Sequence, residues 1–157
     1  MMKKILLAVV AVIALCACNG EREYLNYRGM SMGTSAKAMC DSLLLQGLAL
    51  DTVHSSETTY VLADTLACNF VVSIIHQNDT ISDILEQYSA TYNDSTSNLW
   101  QAMHDDFEKD FGWPNMRHSG DLHKEAFYEN DKGTVLLTLL NTYTPSLTVR
   151  YSTMTTK

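Results

Sequence analysis

Two histidines and an aspartate, His118, Asp121 and His123, stand close together in a polar segment that contains Gly120. Imidazole and carboxylate groups are common zinc ligands, so this spacing raises the question of a metal centre in a loop. A fourth ligand is not visible nearby, and the other three histidines are scattered along the chain. We therefore expect solvated loop residues here, and neither a metal nor another cofactor.

The familiar arrangements of catalytic residues are missing from the sequence. It has no Gly-x-Ser-x-Gly elbow, no Ser-x-x-Lys frame and no glycine-rich phosphate loop. His104, Asp105 and Asp106 are consecutive on a predicted helix, where neighbouring side chains point apart, so we place them on an acidic solvent face. The sequence thus predicts a protein without catalytic residues, because nothing in it pairs an acid, a base or a nucleophile.

The N-terminal residues have the pattern of a secretory signal. Lys3 and Lys4 precede an apolar run over residues 5–15, and small residues follow that run. A stable transmembrane helix needs roughly 20 apolar residues, so this run is too short to span a bilayer. An ordinary cleaved signal and a hydrophobic first helix are the simpler alternatives to the interpretation that follows.

The end of this signal, Leu15-Cys16-Ala17-Cys18, resembles the bacterial lipobox. The resemblance implies that residues 1–17 are a signal peptide, that diacylglycerol is joined to Cys18 by a thioether, and that cleavage precedes Cys18. Several acyl chains hold a protein firmly on a membrane. Asn19 stands where aspartate favours inner-membrane retention, which implies the outer membrane. Residues 18–27 are polar and charged and are predicted to form a lipidated tether.

Cys40 and Cys68 are the two cysteines expected within the folded body. Export permits a disulfide between them. Two buried free thiols are the alternative, because cysteine packs as a small apolar residue. A disulfide needs Cα atoms about 4.4–6.8 Å apart, a distance that the sequence does not supply, so both readings stay open.

The charge of the chain argues against nucleic acid as a partner. Its 11 Lys and Arg residues against 18 Asp and Glu residues give a formal charge of −7, and the basic residues do not cluster. Nucleic acids and anionic lipid surfaces attract proteins with basic patches. We therefore expect contact with the membrane through the lipid on Cys18, and with an envelope protein.

A short motif recurs five times: aspartate, then serine or threonine, then an apolar residue or threonine. It resembles the O-glycan acceptor pattern of some Gram-negative envelope proteins, and a glycan needs an exposed hydroxyl. The resemblance makes candidates of four hydroxyls: Thr52, Thr65, Thr80 and Ser95. Ser42 carries the fifth copy inside a predicted helix. Asp-Thr and Asp-Ser are also ordinary turn and cap dipeptides, which explains the motif without a glycan.

Hydrophobic periodicity places a helix at the start of each half of the chain. The first covers residues 34–47, is capped by Thr34 or Ser35, buries a face that includes Leu44, and ends at Gly47. The second covers residues 96–111 after a polar loop at 93–97, and ends at Gly112. Its apolar stripe reads as core: Trp100, Met103, Phe107 and Phe111.

Three strands are predicted after each helix. In the first half these are residues 58–63, 66–76 and 81–88, and in the second half 125–129, 134–143 and 147–153, with a loop at 115–121. The third segment is ambiguous, because Ile81, Ile84 and Leu85 have helical spacing. We expect a strand there, because the second half ends with one.

The two halves therefore predict an α+β fold built as a tandem helix-plus-three-strand repeat. Residues 28–90 and 91–157 would each form one unit, packed into one domain with a continuous antiparallel sheet and the helices on one face. This pattern resembles the tandem fold of β-lactamase-inhibitor proteins and the smaller lipoproteins of the outer-membrane barrel-assembly complex. The alternative is a single α+β sheet that resembles the cystatin or nuclear transport factor 2 fold.

A further resemblance is to an uncharacterised group of Gram-negative lipoproteins, carried by Trp100 and by Phe111-Gly112-Trp113-Pro114. No catalytic residue comes with any of these resemblances. We expect a lipid-anchored, non-catalytic protein-binding or scaffolding module on the outer membrane, facing the periplasm or the exterior. The alternatives are an envelope enzyme or small-ligand carrier, whose pocket the sequence would not reveal, and a structural part of an envelope complex.

Overall fold

The computed structural model describes residues 23–64, 69–90 and 93–153, with side chains in the second helix from residue 95 onward. Within these ranges a small hairpin comes first, then a helix and four strands, then a second helix and four strands. In chain order the elements are β1 Asn26–Tyr27, β2 Met30–Ser31, α1 Ala36–Leu45, β3 Leu48–Leu50, β4 Thr59–Asp64, β5 Phe70–Gln77, β6 Thr80–Ser89, α2 Asn93–Phe111, β7 Met116–Ser119, β8 His123–Asn130, β9 Gly133–Leu140 and β10 Ser146–Thr153.

The last eight strands form one antiparallel sheet in the order β3-β4-β5-β6-β10-β9-β8-β7. Each half contributes a four-strand meander, and the final strands of the two meanders, β6 and β10, pair along the middle of the sheet. The chain is therefore an α+β protein with a large antiparallel sheet and two helices in its described part, as the sequence predicts.

Local signals begin α1 and end both helices where the sequence places them. The Ser35 hydroxyl accepts a hydrogen bond from the Ala38 amide at 3.2 Å and caps α1. Gly47 and Gly112 follow α1 and α2 with φ of +98° and +81°, a conformation that costs glycine little. Gly47 therefore closes α1 as predicted, and Gly112 closes α2.

Both helices lie on the same face of the sheet. Along β5 and β9 every second residue is buried, and these side chains share one hydrophobic cluster with the buried residues of α1 and with Trp100 of α2. Alternation follows from the strand repeat of two residues. The core thus fills the space between the helices and one side of the sheet.

The ambiguous third segment is a strand, as expected. β6 spans Thr80–Ser89, and its turn with β5 uses Asn78 and Asp79 at φ of +49° and +62°. Two positive-φ residues are typical of the tight hairpin turns that suit twisted strands. The helical spacing in this segment is overridden because β6 pairs with both β5 and β10.

Two predicted loops are wrong, and each helix is followed by four strands rather than three. β3 and β7 are edge strands of three and four residues, too short for alternation to reveal them. β7 occupies most of the expected loop at 115–121. Residues 93–97, also expected as a loop, form the first turn and a half of α2.

Three side-chain expectations are also wrong. Leu44 is exposed because α1 turns the side that carries Met39, Cys40 and Leu43 to the core. His104 is buried against Trp100 rather than solvated. Leu25 and Tyr27 belong to the core, so the packed body includes the end of the predicted tether.

No helix in the described ranges has the length and apolar character needed to cross a membrane.

Candidate functional site

The face of the sheet opposite the helices is uncovered by the described chain, and we call it the open face. Strand pairing lines up one row of its side chains across seven neighbouring strands. From β4 to β7 this row consists of Val61, Ser73, Leu85, Arg150, Leu136, Phe127 and Met116. Val61 is buried by its neighbours within the sheet and is absent from the core cluster, as expected for the second face.

Apolar and polar side chains share the open face. Leu85, Leu136 and Phe127 are partly exposed, and Met116 and Leu140 retain 51% and 44% of their accessible surface. An adjacent row is polar and runs Glu125, Thr138, Thr148, Gln87. The row from Val61 to Met116, which we call the band, is mostly apolar and lies beside carboxylate, hydroxyl and amide groups. Such an arrangement is suited to non-covalent contact with another surface.

An ion pair fixes the middle of the open face. The Arg150 Nε and the Ser152 hydroxyl donate to Asp83 Oδ1 at 2.9 and 2.6 Å. Burial acts to raise the pKa of the Asp83 carboxyl, but the hydrogen bonds from Arg150 and Ser152 outweigh it and hold that pKa below its ordinary value. These bonds join β6 to β10, so the two halves meet through a charged link as well as the backbone ladder.

A carboxylate is buried on the helix side of the same strand. Glu86 accepts hydrogen bonds from the Tyr27 hydroxyl at 2.8 Å and the Tyr88 hydroxyl at 3.3 Å, and the Arg28 Nε lies 3.4 Å away. Burial and the Glu86 carboxylate raise the pKa of Tyr27 well above its ordinary value. The sequence does not predict this cluster directly. The acidic residue Glu86 at an inward position of β6 is the feature that could have indicated it.

A cleft lies on the same helix side, between the C-terminal half of α2, the β8–β9 turn and residues 24–26. Its volume is about 510 Å³. The lining combines polar groups with apolar side chains, among them the rings of Phe107, Phe111 and Tyr151. A second cleft of about 460 Å³ lies beside Arg28, Phe70 and Tyr88.

Three of the predicted site residues, Cys18, Thr65 and Cys68, lie outside the described residues. Cys40 is buried in α1 and forms no disulfide with another described residue, and burial raises the pKa of its thiol. A high pKa makes a thiol a poor nucleophile at neutral pH. The bridge from Cys40 to Cys68 stays a prediction.

The other candidate glycan acceptors, Thr52, Thr80 and Ser95, are all exposed. Thr52 lies in a turn held by Asp51, whose Oδ1 accepts from the Val53 and His54 amides. Asp79 has a structural task too, because its Oδ1 accepts from the Lys37 amide in the first turn of α1.

The histidine pair of the sequence is brought together. His118 and His123 face each other across the β7–β8 hairpin, with ring centroids 5.3 Å apart. In the described ranges no three histidine, cysteine or carboxylate side chains converge as a metal site would require.

Comparisons with protein-family models, curated proteins and solved structures find no match. The open face and the cleft are therefore interpreted from their own geometry and chemistry.

Proposed function

We propose that this chain is a lipid-anchored, non-catalytic binding or scaffolding module that contacts an envelope protein through its open face. The observation that carries the proposal is that both helices cover one side of an eight-stranded sheet, while neither helix of the described chain covers the other side. Antiparallel sheets often turn one face to water, but that face is then mostly polar. Here it presents a band of leucine, phenylalanine and methionine side chains.

The band has the anatomy of a protein interface. Interface centres are poor in charge and rich in aromatic and methionine side chains, with a polar rim around them. Phe127 and Met116 lie next to each other in the band, and its charged member, Arg150, is paired with Asp83 of the neighbouring row. A partner can therefore cover the band without burying a lone charge, which would be costly.

The anchor is proposed from the sequence. Thioether-linked lipid on Cys18 would hold the body at the bacterial outer membrane, on its periplasmic or outer side. The variant Cys18→Ser is expected to shift the protein from the detergent-requiring membrane fraction to the soluble or precursor fraction. Cys40→Ser serves as the matched control and should leave fractionation unchanged. Equal membrane attachment of Cys18→Ser and the wild type would refute the lipid anchor.

We also propose that the two halves are repeated units, helix plus meander, joined at β6 and β10. Thr153 pairs with Gly133, and Leu25 packs on Gly133, so the two ends of the described chain are neighbours. A permuted chain that starts at residue 91 and links residue 153 to residue 23 should therefore fold and unfold in one transition. A permuted chain that unfolds in two steps, or without cooperativity, would argue against two repeated units that pack into one domain.

The binding role is tested by site-specific photocrosslinking in native membranes. A benzoylphenylalanine at Thr148 on the open face is expected to capture a discrete partner. The same group at Leu45, which is 90% exposed on α1, is the matched control and should capture none. Leu136→Arg should abolish the Thr148 adduct while circular dichroism stays unchanged. Equal adducts from both positions would contradict the proposal.

A further inference from the structure

The cleft beside α2 has the size of a small-molecule site. Its volume of about 510 Å³ lies within the usual range for ligand pockets. It lies on the helix side, opposite the open face. A ligand there and a protein on the open face would not compete for the same surface.

The N-terminal wall of the cleft is a built feature. The Tyr24 ring packs over Gly33 so closely that a Cβ there would lie 2.5 Å from its Cδ2. Leu25 packs in the same manner on Gly133, where a Cβ would lie 2.8 Å from its Cδ1. The Leu25 carbonyl also accepts the Met32 amide at 2.8 Å. Tyr24 is therefore held against the connection between β2 and α1, and Leu25 against β9, and together they form a defined wall.

Aromatic rings form the floor and one side. The Phe107 ring meets Phe111 and Tyr151 edge-on, with centroids 6.2 and 6.0 Å away. All three rings line the cleft, and both phenylalanines are partly exposed. Ring faces carry negative partial charge and attract cations within about 6 Å.

The charged groups of the cleft favour a cation as well. Asp110 and Asp131 line it, and among the described residues neither carboxylate makes an ion pair. Lys132 is the basic side chain among the described lining residues, and it pairs with Glu23, with Nζ and Oε2 2.7 Å apart. Lys109 and Lys132 act on these carboxylates electrostatically. Because Asp106 and Glu23 also pair with the two lysines, the charges in and beside the cleft still sum to a net negative value next to the aromatic floor.

We propose that this cleft binds a small organic cation with an apolar body, of the quaternary ammonium or aromatic amine class. The aromatic floor takes the apolar body and part of the cationic surface, and Asp110 and Asp131 complement the charge. The occupant is distinct from the protein partner proposed for the open face, and this site stands or falls independently of that function.

Benzyltrimethylammonium is a suitable probe. Isothermal titration against the full mature protein in nanodiscs, with empty nanodiscs as the blank, should give a dissociation constant on the order of 1 mM. Benzyl alcohol keeps the ring without the charge, and phenylacetate reverses the charge. Both are expected to bind at least about tenfold more weakly, because each lacks the cation–π and carboxylate attraction.

Two variants of α2 locate the site. Asp110→Asn should weaken benzyltrimethylammonium about fivefold, as expected for one partly solvated charge. Asp106→Asn removes the same charge from the same helix at an exposed position outside the cleft, and should leave the affinity unchanged. Circular dichroism checks that both variants are folded.

Several outcomes would overturn the proposal. These are absence of benzyltrimethylammonium binding, equal affinity for benzyl alcohol or phenylacetate, and equal effects of the Asp110 and Asp106 variants. If decanoate binds the cleft more tightly than benzyltrimethylammonium, and benzyltrimethylammonium does not displace it, the cleft would instead be assigned to an acyl chain.

Discussion

Removal of one hydroxyl group, in Tyr27→Phe, should destabilise the whole domain. The Tyr27 hydroxyl donates to the Glu86 carboxylate at 2.8 Å, and both side chains are almost fully buried. A hydrogen bond to a charged group is worth about 1.5–3 kcal/mol, and its loss leaves Glu86 with weaker contacts to Arg28 and Tyr88 at 3.4 and 3.3 Å. We expect a loss of about 2 kcal/mol.

The assay is urea denaturation of the soluble body, checked by thermal unfolding. A loss of about 2 kcal/mol should lower Tm by roughly 6–10 °C for a domain of this size. Tyr151→Phe is the matched control. Its ring packs edge-on against Tyr27 at 5.3 Å, but its hydroxyl makes no hydrogen bond to the described residues. Tyr151→Phe should therefore change stability by less than about 0.5 kcal/mol.

A double-mutant cycle with Glu86→Gln isolates the pair. If the hydroxyl acts through the carboxylate, the loss caused by Tyr27→Phe should shrink by about 1 kcal/mol or more when Glu86 is already glutamine. Equal losses from Tyr27→Phe and Tyr151→Phe, or strictly additive losses in the cycle, would refute the reasoning and leave ring packing as the whole contribution.

Three further perturbations test other contacts. Burial, and then the Glu86 charge, raises the pKa of three tyrosines, Tyr27, Tyr88 and Tyr151. The protonated tyrosines stabilise the fold fully below the unfolded pKa of about 10, and this contribution is lost as the pH rises above that value. Absorbance at 295 nm should therefore show the three tyrosines ionising only as the protein unfolds. A gradual titration before unfolding would contradict this expectation. The pKa of Asp83 is lowered in the folded state, so its ionised carboxylate stabilises the fold above the unfolded pKa of about 3.9. This stabilisation is lost as the pH falls through the lowered folded pKa. Asp83→Asn should therefore flatten the acid side of the stability profile measured by urea denaturation. An acid profile identical to that of the wild type would exclude Asp83 as its source. Gly33→Ala should displace the Tyr24 ring and cost about 1–3 kcal/mol, whereas Gly29→Ala, at φ of +84° with open space around it, should cost only backbone strain of about 1 kcal/mol. Similar losses for the two glycine variants in thermal unfolding would rule out the close approach of Tyr24.

Several features of the fold could be predicted because their causes are local. Ser35 caps α1 with its own hydroxyl, and Gly47 and Gly112 adopt a backbone conformation that other residues resist. The long strands β5 and β9 show their alternation within eight residues each. The strand at β6 required one non-local consideration, the likeness of the two halves, since its own spacing favours a helix.

The errors have non-local causes. β3 and β7 are too short to carry a pattern of their own, and exist because β4 and β8 offer them a ladder to join. His104 reads as part of an acidic run, but α2 turns it toward Trp100 and Tyr128. Neither outcome follows from residue spacing alone, because β3 and β7 depend on a partner strand and the burial of His104 depends partly on Tyr128, 24 residues away.

The sequence alone supplied the hypotheses of an export signal and of lipidation at Cys18. It also determined the start of α1, the C-terminal ends of both helices and the α+β character, since each depends on a few adjacent residues. Only the tertiary structure decided which sheet face stays bare, that Glu86 is buried among tyrosines, and that a cleft forms between α2 and residues 24–26. Those features arise where distant segments pack, because burial and charge pairing depend on what lies opposite a side chain rather than beside it in the chain.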